Sequence, residues 1–224
     1  MKKLNSIVVI LALITVVAPS LSWAQSFELT PYLGYRWSSQ INGGEFEVNG
    51  HTLTHHDFQS AVNFGLWFDV RLASRVMLEI MAESMPTTFE AWDDSSPKNE
   101  ASFDVTFYYF QLGLLYEIIE YGVDAADVKV RPFIMGSLGS TVFDPGGDRQ
   151  SSTRFSASFA LGFKNMFTER FGLRVQGRYM WTYLNADNDY WCPDTDNPTA
   201  GCTVYPTSVS LSQIDITAGL IIAF

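Results

Sequence analysis

The chain is 224 residues long, 47% hydrophobic and 17% charged, with 24 acidic against 14 basic side chains and a formal net charge of −10. That length suits one domain with a sizeable core, and that charge makes nucleic acid an unsuitable partner. After the first two dozen residues no stretch approaches the roughly 18 consecutive apolar residues of a transmembrane helix. Insertion into a membrane would therefore need a closed barrel, the other structure that satisfies every backbone group in lipid.

Residues 1–24 read as a secretory signal peptide: Lys2 and Lys3, an apolar run from Ile7 to Ala18, and the small-x-small site Ser22-Trp23-Ala24. Gln25, not cysteine, follows the cut, which argues against lipoprotein processing. The mature chain, 25–224, loses Lys2 and Lys3 and keeps 12 basic and 24 acidic side chains.

From Phe27 onward eight segments alternate with period two, as barrel strands do when one parity meets lipid and the other the lumen. The first sets Phe27, Leu29, Leu33, Tyr35 and Trp37 against Glu28, Thr30, Tyr32, Gly34 and Arg36. The second sets Val62, Phe64, Leu66, Phe68 and Val70 against Asn63, Gly65, Trp67 and Asp69. The third opposes Val76, Leu78 and Ile80 to Glu79, Met81 and Glu83, and the fourth Tyr108, Phe110, Leu112, Leu114 and Tyr116 to Tyr109, Gln111, Gly113 and Glu117. The fifth opposes Val130, Ile134, Leu138 and Val142 to Arg131, Met135, Ser137 and Thr141. The sixth opposes Phe155, Phe159, Leu161 and Phe163 to Arg154, Ser156, Ser158 and Lys164. The last two oppose Phe171, Leu173, Val175, Tyr179, Trp181 and Tyr183 to Arg174, Gln176 and Arg178, then Ile214, Ile216, Leu220, Ile222 and Phe224 to Gln213, Asp215, Thr217 and Gly219.

The apolar faces contain no Asp, Glu, Lys or Arg. A basic residue at the midplane of a lipid face costs roughly 2 to 4 kcal/mol, whereas a soluble barrel turns its apolar side inward and its charges outward. The expected fold is therefore all-β: an eight-stranded antiparallel transmembrane barrel with an apolar outside and a polar lumen. Aromatic belts are expected at Trp37, Phe143, Trp181 and Tyr183 at one end and at Phe27, Phe68, Tyr116, Phe171 and Phe224 at the other. Pro31 and Pro132 cannot donate to a ladder and predict a bulge or missing bond. Connections near 71–75, 119–128 and 165–170 are the shorter set, assigned to the periplasm together with both termini. Those near 38–57, 86–102, 144–153 and 185–207 are mostly longer and polar, and are assigned to the outside.

The segments Phe27-Glu-Leu-Thr-Pro-Tyr-Leu-Gly-Tyr-Arg36, Arg131-Pro-Phe-Ile-Met-Gly-Ser-Leu-Gly139, Phe143-Asp-Pro-Gly-Gly147 and Phe171-Gly-Leu-Arg-Val-Gln-Gly-Arg178 resemble a family of small proteobacterial outer-membrane β-barrel proteins. The family is related in architecture to the transmembrane domains of the OmpA, OmpX and OmpW kind. The resemblance implies fold and location, with no catalytic motif to transfer. The C-terminal end, with Thr217, Gly219, Ile222 and terminal Phe224, resembles the barrel-assembly signal of such proteins and implies recognition by the barrel-assembly machinery.

The expected lumen charges are Arg36, Arg131, Arg154, Lys164, Arg174 and Arg178 against Glu28, Asp69, Glu79, Glu83, Asp104, Glu117 and Asp215. So balanced a set, in an interior about wide enough for its own side chains, is expected to pair across the lumen and plug it, since an unpaired buried ion is costly. Of the remaining acids, Glu120, Asp124, Asp127 and Glu169 fall in the shorter turns and are balanced there, and thirteen crowd the outer loops, where only Lys98 and Arg149 oppose them. Among them Asp187, Asp189, Asp194 and Asp196 offer oxygens for Ca²⁺ or Mg²⁺, bridging to lipopolysaccharide phosphates, although their spacing is not that of an EF-hand. Cys192 and Cys202 lie close together in a loop of an exported chain and are expected to form a disulfide, with free thiols or a metal site as alternatives. His51, His55 and His56 beside Asp57 suggest catalysis or metal binding, yet no nucleophile motif accompanies them. No cofactor pattern is visible. The leading reading is a non-enzymatic barrel serving envelope integrity or surface interaction, with membrane lipids and lipopolysaccharide as surroundings. The alternatives are a narrow channel or apolar-ligand barrel, prompted by Trp67, Phe107, Tyr109, Phe133 and Met135 in the lumen, and a lipid-modifying enzyme.

Overall fold

The computed structural model describes residues 27–38, 45–48, 51–53, 55–93, 100–118, 121–123, 128–146, 149–184, 189–190, 202–204 and 209–224. The signal-peptide segment lies outside them. Every regular element among the described residues is a strand: β1 (Phe27–Ser38), β2 (Glu45–Val48), β3 (His51–Leu53), β4 (His55–Phe58), β5 (Ala61–Ala73), β6 (Val76–Trp92), β7 (Glu100–Glu117), β8 (Tyr121–Val123), β9 (Val128–Asp144), β10 (Ser152–Met166), β11 (Phe171–Leu184), β12 (Asp189–Tyr190), β13 (Cys202–Val204) and β14 (Val209–Ala223). No described helix is long and apolar enough to cross a membrane.

Eight of these strands close a ring, β1-β5-β6-β7-β9-β10-β11-β14 and back to β1, and every pairing is antiparallel. The seam is joined at the chain ends, where the Phe224 amide donates to the Phe27 carbonyl at 2.9 Å. Both ends of the barrel chain therefore sit at one rim, called here the turn end because the two-residue connection between β5 and β6 and the 167–170 turn lie there too. The pairing of β1 with β14 skips Thr30 and Pro31, the missing bond expected of a proline in a closed ladder. At Pro132 the partner of β9 changes from β7 to the short β8, which folds back along the start of β9.

The lipid-facing residues follow the alternation: Leu33, Phe64, Leu112, Leu138, Leu161, Ile216 and Leu220 are among the exposed apolar side chains. β6 and β7, at 17 and 18 residues, are longer than the roughly 9 to 11 residues that span a bilayer. Their far halves form a hairpin beyond the membrane, so the segment 86–102, expected to be loop, is largely strand. β4 pairs with this extension, Phe58 opposite Phe89. A separate four-stranded sheet, β12-β13-β2-β3, joins the first and last long connections.

Candidate functional site

The lumen is crossed by ion pairs in two layers. Near the turn end, Lys164 Nζ lies 2.6 Å from Glu28 Oε2 and 3.1 Å from Asp69 Oδ2. Arg174 bridges Asp69 at 3.2 Å and Glu79 at 2.6 Å, and Arg178 reaches the other oxygen of Glu79 at 3.2 Å. Arg71, partly exposed, ties Glu117 at 3.2 Å to this group. Since β10 stands four strands from β5 in the ring of eight, and β11 four from β6, the Lys164–Asp69 and Arg174–Glu79 pairs span the whole diameter. The second layer holds Arg36 Nη2 2.5 Å from Asp215 and 2.6 Å from Glu83, whose other oxygen accepts from the Tyr32 hydroxyl at 2.7 Å. Tyr109 donates across another diameter to Gln213 at 2.6 Å.

Flat groups fill the space between the layers. The Tyr32 and Trp67 rings stack with centroids 3.8 Å apart, and the Arg174 guanidinium sits between Trp67 at 4.1 Å and Phe133 at 4.7 Å. Arg36, Trp67, Tyr109, Arg174 and Arg178 are all less than 2% exposed. Stacking suits arginine here because its planar, weakly hydrated cation can lie on a ring while its edge serves carboxylates.

Toward the loop end the filling becomes apolar. Phe107 meets Phe58 and Phe143, each at 4.7 Å between centroids, and Phe89 meets Phe58 at 5.4 Å. Leu53, Met85, Leu184 and Leu211 complete this cap. Phe143 is thus fully buried in the lumen, a correction to its expected place in the aromatic belt. Asp104, expected in the lumen, is exposed on the outside of β7 and accepts from Thr88 at 3.2 Å. Both corrections have one cause. Beyond Ser84 on β6 and before Tyr108 on β7 the inward parity is unchanged but its chemistry inverts, with apolar Met85, Phe89, Val105 and Phe107 inward and polar Thr88, Glu90 and Asp104 outward, and on β9 Phe143 likewise keeps the inward parity of Met135 and Thr141. Once a strand leaves lipid its outer face meets water, so the apolar parity moves inside.

The other expected lumen residues divide by burial. Glu28, Arg36, Asp69, Glu79, Glu83, Glu117, Lys164, Arg174, Arg178 and Asp215 are buried inside the barrel. Arg131 and Arg154 have inward parity but are only half-buried, Arg131 near the turn end and Arg154 near the loop end. Thr217, Gly219 and Ile222 lie along β14, and Phe224 is exposed at its end.

At the loop-end rim Asp57 lies opposite Glu90, which accepts from the Gln59 carboxamide at 2.6 Å. Partial burial, with a smaller contribution from Glu90, raises the Asp57 carboxyl above its ordinary value, against the lowering effect of the Phe58 amide that it accepts. Arg149 lies over the Phe103 ring at 4.2 Å, and burial lowers its guanidinium. His55 stacks on Trp92 at 5.7 Å. The side chains of His51, His56, Asp187, Asp189, Cys192, Asp194, Asp196 and Cys202 lie outside the described residues. The sequence reading missed Leu53 and Phe58, which the first long connection sends into the cap. Their signal is slight, because the same polar stretch also holds Ile41, Phe46 and Val48.

The chain matches the model of the outer membrane protein beta-barrel domain family over residues 8–204, and it belongs to that family, an outer-membrane protein by fold. Its fold is similar to the outer membrane protein OprG from Pseudomonas aeruginosa, at 14% identity and a TM-score of 0.62, covering 90% of this chain and 96% of that one. It is similar also to the outer membrane protein AlkL in lipid bilayers, at 13% identity and a TM-score of 0.54, covering 89% and 90%. No curated protein sequence shows significant similarity to it.

Proposed function

We propose that this protein is a closed, non-enzymatic barrel that anchors a structured, acidic surface outside the cell, for interaction with surface partners or support of the envelope. The observation that carries this reading is the lumen, where ion pairs and stacked rings span the full diameter and leave Trp67, Arg174 and Tyr109 buried. The turn end with both barrel termini is then periplasmic and residues 1–24 are a leader removed on export. The β6–β7 hairpin and the β12-β13-β2-β3 sheet face outward, next to lipopolysaccharide. The C-terminal residues Thr217, Gly219, Ile222 and Phe224 serve the barrel-assembly machinery, and divalent cations at the outer acids and a Cys192–Cys202 disulfide belong to the same proposal. Replacing residues 45–58 by a short Gly/Ser linker tests it. Cells should then lose surface adhesion or detergent resistance while the barrel still inserts, and unchanged cells would contradict a role for this surface.

A second reading, uptake of small apolar molecules, is favoured by the apolar cap around Phe107. Liposomes carrying the protein should in that case take up a small aromatic solute faster than empty ones, and a Phe107→Ala variant faster still.

A further inference from the structure

The lipid face of the barrel is not evenly filled. On the side formed by β7, β9, β10 and β11, two neighbouring rows of outward residues each contain one small member. Gly136 lies between Leu114 and Phe159, and in the next row toward the loop end Ala157 lies between Leu138 and Trp181. The two gaps join in an open groove of about 690 Å³, within the roughly 300 to 1,000 Å³ of small-ligand sites. A Cβ on Gly136 would meet nothing within 4 Å, so the space above it is empty of protein.

The groove runs obliquely, from Trp181 near the loop-end limit of β11 to Leu78 near the turn-end start of β6. With neighbouring strands about 4.8 Å apart, its four steps across the wall span about 20 Å, enough for a chain that crosses one half of a hydrocarbon core about 30 Å thick. Its walls are apolar: Leu112, Leu114, Leu138 and Phe159 are each at least half exposed. Ser137 and Ser158, which also border it, turn their hydroxyls inward onto Gln111. Polar groups stand at the loop-end side, where the Tyr179 and Ser212 hydroxyls lie 2.9 Å apart and Ser212 is opposite Trp181. Tyrosine and tryptophan favour that level of a membrane, one end of the side chain apolar and the other wet.

We infer that this groove is a binding site for one acyl chain of an ester lipid from the loop-end leaflet, lying along Ala157 and Gly136 with its ester end at Trp181 and Tyr179. The groove is continuous with the lipid-facing surface, so acyl chains are what surrounds it. In lipid, apolar side chains gain nothing by leaving water, and association rests on van der Waals packing. A chain on the smooth wall touches protein on one side only, whereas a chain in the groove is also flanked by Leu114 and Leu138 on one side and Phe159 and Trp181 on the other, and each added contact contributes dispersion energy. A second copy of the barrel suits the groove less well, since its twelve lining residues fall short of the roughly 20 to 30 a side in a stable protein interface.

The test uses the full barrel refolded in phosphatidylcholine vesicles containing a small share of phosphatidylcholine with a photoactivatable diazirine on one acyl chain, near either its ester or its methyl end. After irradiation the labelled residues are mapped by peptide mass spectrometry. Adducts in the groove should exceed several-fold those at Leu33, Phe64 and Leu66, which lie on the opposite side of the ring. The ester-end probe should mark Trp181 and Tyr179, and the methyl-end probe Leu114 and Leu78. Gly136→Phe, whose side chain has room to fill the groove, should reduce the excess to the opposite-side level while the barrel still folds. Equal labelling of the two sides in the wild type, a reversed order of the two probes, or an excess that survives Gly136→Phe would overturn the inference. So would a groove shielded from both probes together with a dimeric mass by native mass spectrometry, which would assign it to a second copy.

Discussion

On β1 the inward side chains are Glu28, Thr30, Tyr32, Gly34, Arg36 and Ser38, and on β6 they are Met77, Glu79, Met81, Glu83, Met85, Thr87, Phe89 and Ala91. The first wall, continued by Thr217 and Gly219 on β14, is polar and intersperses small residues among Glu28, Tyr32 and Arg36. The second, continued by Phe107, Leu115, Phe133 and Met135 on β7 and β9, is large and mostly apolar. Side chains from the two walls interdigitate: the arginines of β1 and β11 reach across to Glu79 and Glu83, while methionines approach them from the far side, Met81 Sδ lying 2.6 Å from Arg178. A narrow lumen is thus closed by unequal walls, one providing room and charge and the other bulk. The contrast also explains why the carboxylates tolerate burial, since each of these cations is met by a carboxylate at its head and by rings or sulfur alongside.

The largest effect should come from removing a cation that holds two carboxylates. Arg36→Met leaves Glu83 and Asp215 buried without their partner, and should cost up to about 5 kcal/mol, read by reversible urea unfolding in lipid vesicles through tryptophan fluorescence. Next comes the apolar wall: Phe107→Ala opens a cavity among Phe58, Phe89 and Phe143, for a loss of about 3 to 4 kcal/mol by the same measurement. The walls should then differ in their tolerance of added volume. Gly34→Ala forces a Cβ to 2.7 Å from the Ile216 carbonyl oxygen and should cost about 1 to 3 kcal/mol, whereas Met85→Leu, nearly volume-conserving, should cost less than about 1.5. Equal costs would remove the distinction between the walls.

The smallest effect lies at the rim. Because the folded state raises the Asp57 carboxyl, folding favours its proton, and stability falls as pH rises from the ordinary carboxylate value through the raised one. At neutral pH the charge opposes docking of β4. Asp57→Asn, which can still accept from the Phe58 amide, should slow hydrogen exchange of β4 slightly at pH 7, by under about 0.5 kcal/mol at so exposed a site, and leave it unchanged at low pH.

Much of this was legible in the sequence because lipid imposes a simple rule. Charge is excluded from Leu33, Leu112, Leu161 and Ile216 and their neighbours, and period two then assigns the other parity to the lumen. The rule ends where lipid ends. Phe143 and Asp104 were misplaced because a lipid-facing pattern was carried past the membrane, although the inversion at Met85, Thr88 and Phe89 is itself readable. The identity of the pairs was not readable. Whether Lys164 meets Asp69 or Asp215 depends on strand tilt and stagger around the ring, which alternation along one strand does not encode. The entry of Leu53 and Phe58 into the cap is likewise a tertiary fact, set by the pairing of β4 with β6.

The closed lumen is tested most directly by single-channel recording of the full protein in planar bilayers. With ion pairs and rings spanning the diameter, the wild-type barrel should show no stable open level, and Arg36→Met combined with Phe107→Ala should introduce one. A stable, large open state in the wild type would contradict the closure on which the proposed function rests.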